Sequence, residues 1–478
     1  MEFLAPEEAP GRERLSRVNA EWLDLVRQRP EALERRSFPK IADWARRLTF
    51  PVQPWPTFVR AATLRHWQQQ AIRMDRLIKS VPRRLFDDDP ERLAAFYRID
   101  STALAAVIIA EPNGIADALS RLDLIETDAG MKIIEINSGS YLGGWALTSV
   151  APAYRDEELL APLFERHQPR WESTPYVMFR HILLRLLDSP LGRGADRLDV
   201  GILFTRGLLE DLLHDVTGHL LQQAAHQAAE ELGVEVPYTV HGVGLGELEM
   251  VDGCPTTAGG VRLHAIVEQQ DDLTSKELFR AAKTGRVQLY TGPATLFLTD
   301  KRNIALLYEL RDSGLFDDDE RQLIEDLVPW SHVVGPTEVE YQGESVYLPD
   351  FLVAERENLV LKPGLASSGV EVYLGRVTPP ERWRQVVAEA VESRRWVAQE
   401  LLVPPRDLYL TGERGCAPHD MVWGIYALGG EPGGGYLRMS RAGGGPLNVG
   451  QGADVGLFFA VDEEPAGGGR EQPVEEVA

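Results

Sequence analysis

Arg121-Leu-Asp123-Leu-Ile-Glu-Thr-Asp-Ala-Gly130-Met-Lys-Ile-Ile-Glu135-Ile-Asn137 is the stretch from which the rest of the chain is best understood. Both halves alternate and are rich in β-formers, with Asp128-Ala129-Gly130 between them. A three-residue loop with Gly130 left-handed is a common hairpin geometry. It pairs Thr127 with Met131, and therefore Asp123 with Glu135 and Arg121 with Asn137. Side chains alternate along a strand, so these four share one face, while Leu122, Leu124, Ile134 and Ile136 share the other. Two directly opposed carboxylates repel unless something neutralises them. A hard divalent cation does so, Asn137 adds a third oxygen, and magnesium prefers such ligands. An exposed hairpin in which Arg121 simply pairs with Asp123 is the alternative.

A second stretch lies far downstream: Asn358-Leu-Val-Leu-Lys362-Pro-Gly364-Leu-Ala-Ser367-Ser368-Gly369-Val370-Glu-Val-Tyr-Leu-Gly375. It reads as strand, flexible loop, strand. Its glycines and serines offer N–H groups and hydroxyls without bulk, suited to closing over phosphates. Lys362 is placed as a point charge for a phosphate. Thr378, followed by Pro379, reads as an N-cap, and Trp396 to Leu402 as the next strand. Upstream, Lys301 and Arg302 fall in the first turn of a helix, where the macrodipole disfavours cations, which suggests an anion nearby.

The remaining sequence sets bounds. The chain has 478 residues, a length for several domains, and a net charge of −23. Such an acidic surface repels phosphate backbones and argues against nucleic-acid binding. Two cysteines, Cys254 and Cys416, cannot build a disulfide framework. The aliphatic run from about Ala103 to Ala110 is too short to span a bilayer, and Met-Glu-Phe-Leu-Ala-Pro-Glu-Glu has no signal-peptide character. A cytoplasmic protein is expected. Leu-Phe-Asp-Asp-Asp occurs at 85–89 and again at 315–319, read as two helix starts with Asp caps. Leu248–Val251 and Val261–Val267 suggest a hairpin inside a small α/β unit. His214, His219 and His226 do not share one helix face and read as surface residues.

Together these pieces resemble the ATP-grasp superfamily, in the circularly permuted branch that includes glutathionylspermidine synthase. The resemblance covers about residues 95 to 460. It implies an α/β (α+β) fold with a helical N-terminal region (1–95) and an ATP-grasp part carrying the metal hairpin (96–194). A small pre-ATP-grasp-like α/β domain (195–295), a lysine-loop lid with C-terminal part (296–462) and a disordered tail (463–478) follow. It implies ATP and Mg²⁺, with Asp123, Glu135 and Asn137 as metal ligands. Lys301, Lys362, Gly364, Ser367, Ser368 and Gly369 would hold phosphates, and Gln399-Glu400-Leu401-Leu402 would contact adenine. Arg121 would stabilise an acyl phosphate and oxyanion. A C-terminal arginine is also expected, and Arg438 and Arg441 both fit. The metal hairpin precedes the lysine loop here, the reverse of ordinary ATP-grasp order.

The implied activity is an ATP-dependent carboxylate–amine ligase, forming an amide and releasing ADP and phosphate. Alternatives are an ATP-grasp kinase and a nucleotide-binding protein without turnover. Asn137 is followed by Ser-Gly-Ser-Tyr-Leu-Gly-Gly, where glutathionylspermidine synthases carry an Ala-Asp-Thr-Pro-type stretch. Their substrates are therefore not carried over. The partners expected are a small-molecule or peptide carboxylate and an amine.

Overall fold

The computed structural model describes residues 15–29, 51–99, 101–110, 115–138, 142–204, 217–268, 276–290, 294–365, 371–410, 416–443, 447 and 452–463. The expected disordered tail lies outside these residues apart from Glu463, as does His214.

After the helix Val18–Gln28 comes a short strand that the sequence did not announce, β1 (Thr57–Arg60). The long helix Ala61–Lys79 follows. Its apolar face lies on the central sheet, with Trp67 edge-on to Trp423 at 5.0 Å between ring centroids. Both Leu-Phe-Asp-Asp-Asp segments precede capped helices as expected. Asp89 accepts from the amides of Glu91 and Arg92, and Asp317 forms a capping box with Glu320.

The hairpin consists of β2 (Ser120–Thr127) and β3 (Gly130–Ser138). Asp123 does oppose Glu135, and Arg121 does oppose Asn137, but by a different route. Thr127 pairs with Gly130, so the turn is the two residues Asp128-Ala129 rather than three. The missing residue returns as a bulge. Leu124 pairs with Ile133 and Asp123 with Glu135, leaving Ile134 as the extra residue. Ile133, not Ile134, is therefore the fully buried partner of Leu124.

The middle block is a parallel four-stranded sheet, order β5-β4-β8-β9, from β4 (Leu198–Phe204), β5 (Tyr238–Gly244), β8 (Ala265–Glu268) and β9 (Gln288–Tyr290). Its hairpin joins β6 (Leu248–Val251) to β7 (Cys254–Thr257), not to Val261–Val267. Asp252 and Gly253 are both left-handed, as a type I′ turn requires.

An antiparallel four-stranded sheet, order β10-β15-β13-β14, comprises β10 (Ser331–Val333), β13 (Leu359–Pro363), β14 (Tyr373–Leu374) and β15 (Trp396–Glu400). It has its own apolar core around Trp383, Leu361 and Ala398, and the hairpin of β11 (Glu338–Tyr341) and β12 (Glu344–Tyr347) lies in the same segment. Thr378 does not cap the next helix: its hydroxyl donates to Leu374 O, and Pro379 precedes the first helical residue, Pro380.

The central sheet brings distant sequence together. Its order is β19-β18-β17-β2-β3, with β16 (Asp407–Leu410) also on β17. Here β17 is Cys416–Leu428, β18 Glu431–Arg441 and β19 Asp454–Gly456. The last strand, β20 (Phe458–Val461), runs parallel to β1. Among the described residues, no single helix is long and apolar enough to cross a membrane.

Candidate active site

One face of the central sheet carries the candidate residues. The registers Gly424↔Asp123, Gly424↔Tyr436 and Val422↔Arg438 set them side by side on β2, β17 and β18. Asp123 is 1% exposed. Its carboxylate accepts from Arg121 Nε at 2.8 Å and Nη2 at 3.1 Å, from Asn137 Nδ2 at 2.9 Å, and from Arg438 Nη2 at 2.5 Å. Burial alone would raise the Asp123 pKa, but the two guanidinium groups outweigh it and hold the carboxyl below its usual range. The same pairing raises Arg121 against the cost of its burial. Gly424 makes room for this arrangement, since a Cβ there would sit 3.0 Å from Arg121 Cδ.

Arg438 and Arg441 are thereby separated. Arg438 reaches Asp123, and its Nε is buried without a hydrogen-bond partner. Arg441 lies exposed at the end of β18, opposite His419. Arg121 pairs with Asp123 as the plain-hairpin alternative supposed, but deep in the protein rather than on an exposed hairpin.

The two lysines arrive from the other side. Lys301 Nζ stands 3.5 Å from Glu135 Oε1. Lys362 Nζ donates to Gln399 Oε1 at 2.8 Å and to Ile134 O at 3.0 Å, the carbonyl of the bulged residue. Burial pushes the Lys362 ammonium down to about 8, against the pull of Glu135 and with the push of Lys301. Gln399 Nε2 in turn donates to Ser331 Oγ, which fixes the amide's orientation.

Three expectations change on contact with this geometry. Arg302 does not await an anion: it is bound by Asp300, at 2.5 Å at the closest, and lies over the Phe96 ring at 4.3 Å. Gly364 does not offer its amide to a phosphate, because its N–H donates to Arg395 O and its carbonyl accepts from Lys301 N. Its missing side chain instead admits Asp300, whose Oδ1 would be 2.5 Å from a Cβ. The hinge amides of Glu400 and Leu401 donate to Trp330 O and Asn358 O, so the face they offer a base is not these two N–H groups. Glu400 is exposed, and Leu401 and Leu402 are half-buried. Ser367, Ser368 and Gly369 lie outside the described residues.

Among the described residues no group of three or more His, Cys, Asp or Glu side chains is placed to hold a metal ion. The hairpin offers two carboxylates and an amide, a hard oxygen set that suits magnesium. Asp123 Oδ2 carries three donors, whereas Oδ1 carries one and retains a lone pair. The Glu135 side chain, 26% exposed, has Lys301 Nζ at 3.5 Å from its Oε1. The residues therefore fit the ion through Asp123 Oδ1 and Glu135. Sequence reasoning missed Tyr426 and Tyr436. Arg121 lies over the Tyr436 ring at 5.3 Å, and Tyr426 opposes Arg121 across the ladder. Their positions on β17 and β18 follow only once the register with β2 is known.

No protein-family model matches the sequence, and no curated protein aligns with it. Among solved structures, the apo form of a glutathione synthetase-like effector from Globodera pallida is similar over 95% of this chain and 100% of its own, with TM-score 0.54 and 11% identity. D-alanyl-alanine synthetase A from Vibrio cholerae aligns over 48% of this chain and 68% of its own, with TM-score 0.24 and 15% identity, too low to bear on the fold. The first likeness shows the fold alone, a mixed α/β architecture shared with that protein.

Proposed function

We propose that the chain is an ATP-dependent carboxylate–amine ligase of circularly permuted ATP-grasp type. The observation that carries this reading is the charge count at the central face. Two carboxylates, Asp123 and Glu135, face four cations: Arg121, Arg438, Lys301 and Lys362. That surplus suits a polyphosphate. The permuted order is supported by the central sheet, where residues 120–138 lie beside 416–441 while the lysine sheet, 331–400, falls between them in sequence. The proposed division into domains is supported by the separate apolar core of that lysine sheet.

In this reading ATP lies between the lysine sheet and the hairpin. Lys301 and Lys362 hold its phosphates, and Gln399 to Leu402 border the base. Magnesium, when bound by Asp123 and Glu135 with Asn137 beside them, offsets phosphate charge. Arg438 holds the transferred phosphoryl group. Arg121 lies next to it through Asp123 and meets the acyl oxygen that attacks. An amine then displaces phosphate from the acyl phosphate, giving the amide.

A substrate-dependent ATPase screen across acids and amines would identify the substrates. With the acid, ATP and Mg²⁺ but no amine, hydroxylamine should trap the acyl phosphate as a hydroxamate. With both substrates, ADP, phosphate and amide should form in equal amounts. A stable phosphorylated product without free phosphate would mean a kinase instead.

A further inference from the structure

Lys301 and Arg302 are adjacent cations in the chain, and the structure uses them differently. Arg302 is 4% exposed, and its charge is met internally. Asp300 accepts from it through both carboxylate oxygens, and the Phe96 ring stands 4.3 Å from its guanidinium. The Lys301 ammonium instead stands 3.5 Å from Glu135 Oε1. The next residue, Asn303, is 1% exposed and has both ends of its amide engaged. Its Oδ1 accepts from the Tyr97 hydroxyl at 2.6 Å, and its Nδ2 donates to Phe297 O at 2.7 Å.

Two consecutive residues at the end of the helix Pro90–Tyr97 thus grip two consecutive residues at the start of the helix Arg302–Leu310. Neighbouring positions on a helix are about 100° apart, so holding both fixes the roll of that first turn about its axis. The roll sets the direction in which the Lys301 side chain leaves the backbone. Lys301 is also held along the chain, because its N–H donates to Gly364 O at 2.9 Å.

The grip is polar where packing alone does not require it. Tyr97 is 1% exposed in an apolar cluster with Leu93, Ile108, Phe297 and Leu298. Burial pushes its phenol far above the ordinary range, so the hydroxyl keeps its proton and donates. A phenylalanine opposite a leucine would fill such a space without burying a hydroxyl and an amide, which cost free energy unless they meet in one geometry. The polar pair specifies an orientation, and the charged group nearest to it along the chain that Asp300 does not bind is Lys301.

We infer that Phe96 and Tyr97 are positioning residues for Lys301, acting through Arg302 and Asn303 to aim its ammonium at a nucleotide phosphate. The inference rests on the reading of Lys301 as a phosphate ligand and deepens it. Lys362 is oriented from within its own sheet by Gln399, whereas Lys301 is oriented by a residue 206 positions before Asn303. The two phosphate contacts are therefore set by separate parts of the chain.

Mg-ATP and adenosine are the probes, titrated against the full chain. Tyr97→Phe keeps the ring and removes the hydroxyl. Its dissociation constant for Mg-ATP, measured by calorimetry, should rise about fivefold, the scale of one neutral hydrogen bond. Adenosine lacks phosphates and should bind as it does to the wild type. Phe96→Leu, at a half-buried position, carries the same comparison independently and should show the same split. In a Lys301→Met background, Tyr97→Phe should cost nothing further. A purely structural role predicts equal weakening of Mg-ATP and adenosine, and the same weakening with or without Lys301. Either pattern, or Mg-ATP binding equal to the wild type in Tyr97→Phe and Phe96→Leu, overturns the inference. Such a result with wild-type Mg-ATP binding intact defeats the positioning role alone. A wild-type chain that does not bind Mg-ATP defeats the nucleotide site on which the ligase reading stands, and the inference with it.

Discussion

Lys362 and Ile134 belong to different sheets, yet the lysine's ammonium donates to the isoleucine's carbonyl at 3.0 Å. The carbonyl is within reach because Ile134 is the bulged residue of its strand. A local irregularity in the hairpin is thus what the lysine strand touches.

The first prediction concerns pH. Lys362 is charged below about 8 and neutral above it. The phosphate contact proposed for it would therefore be present at low pH and lost as pH rises through that value. ATP affinity measured by calorimetry should fall across pH 7–9 in the wild type and show no such step in Lys362→Met. Stability moves oppositely. The unfolded lysine holds its proton to about 10.4. Between about 8 and that value the unfolded state binds more protons, so wild-type stability relative to Lys362→Met should rise there, by roughly 3 kcal/mol at most.

Deleting Ile134 provides a second test. On the turn side of the bulge, Leu124 already pairs with Ile133. Removing one residue makes the ladder continuous, with Asp123 still opposite Glu135. The fold should survive, but Lys362 loses an acceptor that stabilises its charged form. The pH midpoint for ATP binding should move down. An unchanged midpoint would show that the bulge carbonyl does not support the charge.

Glu135→Gln keeps the shape of the hairpin and removes one of the two opposed carboxylates, Asp123 and Glu135. The half-saturating magnesium concentration in an ATPase assay should rise roughly tenfold, the equivalent of about 1.4 kcal/mol. The same substitution removes an attraction that raises Lys362, so the pH midpoint should again move down. Magnesium dependence equal to the wild type would remove Glu135 from the metal site.

Asp123→Asn should be the most damaging of the site substitutions to stability. It leaves two buried guanidinium groups without their shared counter-ion, at a cost of about 3–5 kcal/mol. Denaturant melts would measure it. Arg441→Ala should change neither stability nor ATP turnover, whereas Arg438→Met should abolish turnover. Equal losses from both arginines would contradict the separation at the end of β18.

The sequence made the facing carboxylates legible because β-alternation and one glycine restrict a hairpin to few registers. It did not reveal the bulge. A shorter turn and an inserted residue cancel, so Asp123 meets Glu135 under either arrangement, and only the full ladder tells them apart. The strand ending beside Lys362 and the strand after the Gly/Ser-rich stretch were legible because β-formers flank that stretch on both sides. Gly364 misled because its requirement comes from Asp300, a residue more than sixty positions earlier in the chain. Arg302 misled for a nearer reason: the neutralising acid stood two positions upstream, at Asp300. The choice between Arg438 and Arg441, and the presence of Tyr426 and Tyr436, depended on strand pairing across hundreds of residues. No local pattern records that pairing.

The same pairing has a consequence during synthesis. The hairpin β2–β3 forms from neighbouring residues, but its open side is covered by β17, which leaves the ribosome roughly 300 residues later. At 5–20 residues per second, that edge waits about 15–60 s with its backbone donors and acceptors unpaired. An edge strand in that condition is a template for pairing with other chains. The nascent polypeptide therefore carries its carboxylate pair on an unfinished sheet for most of its elongation, and holding chaperones should engage it over that interval more than after release.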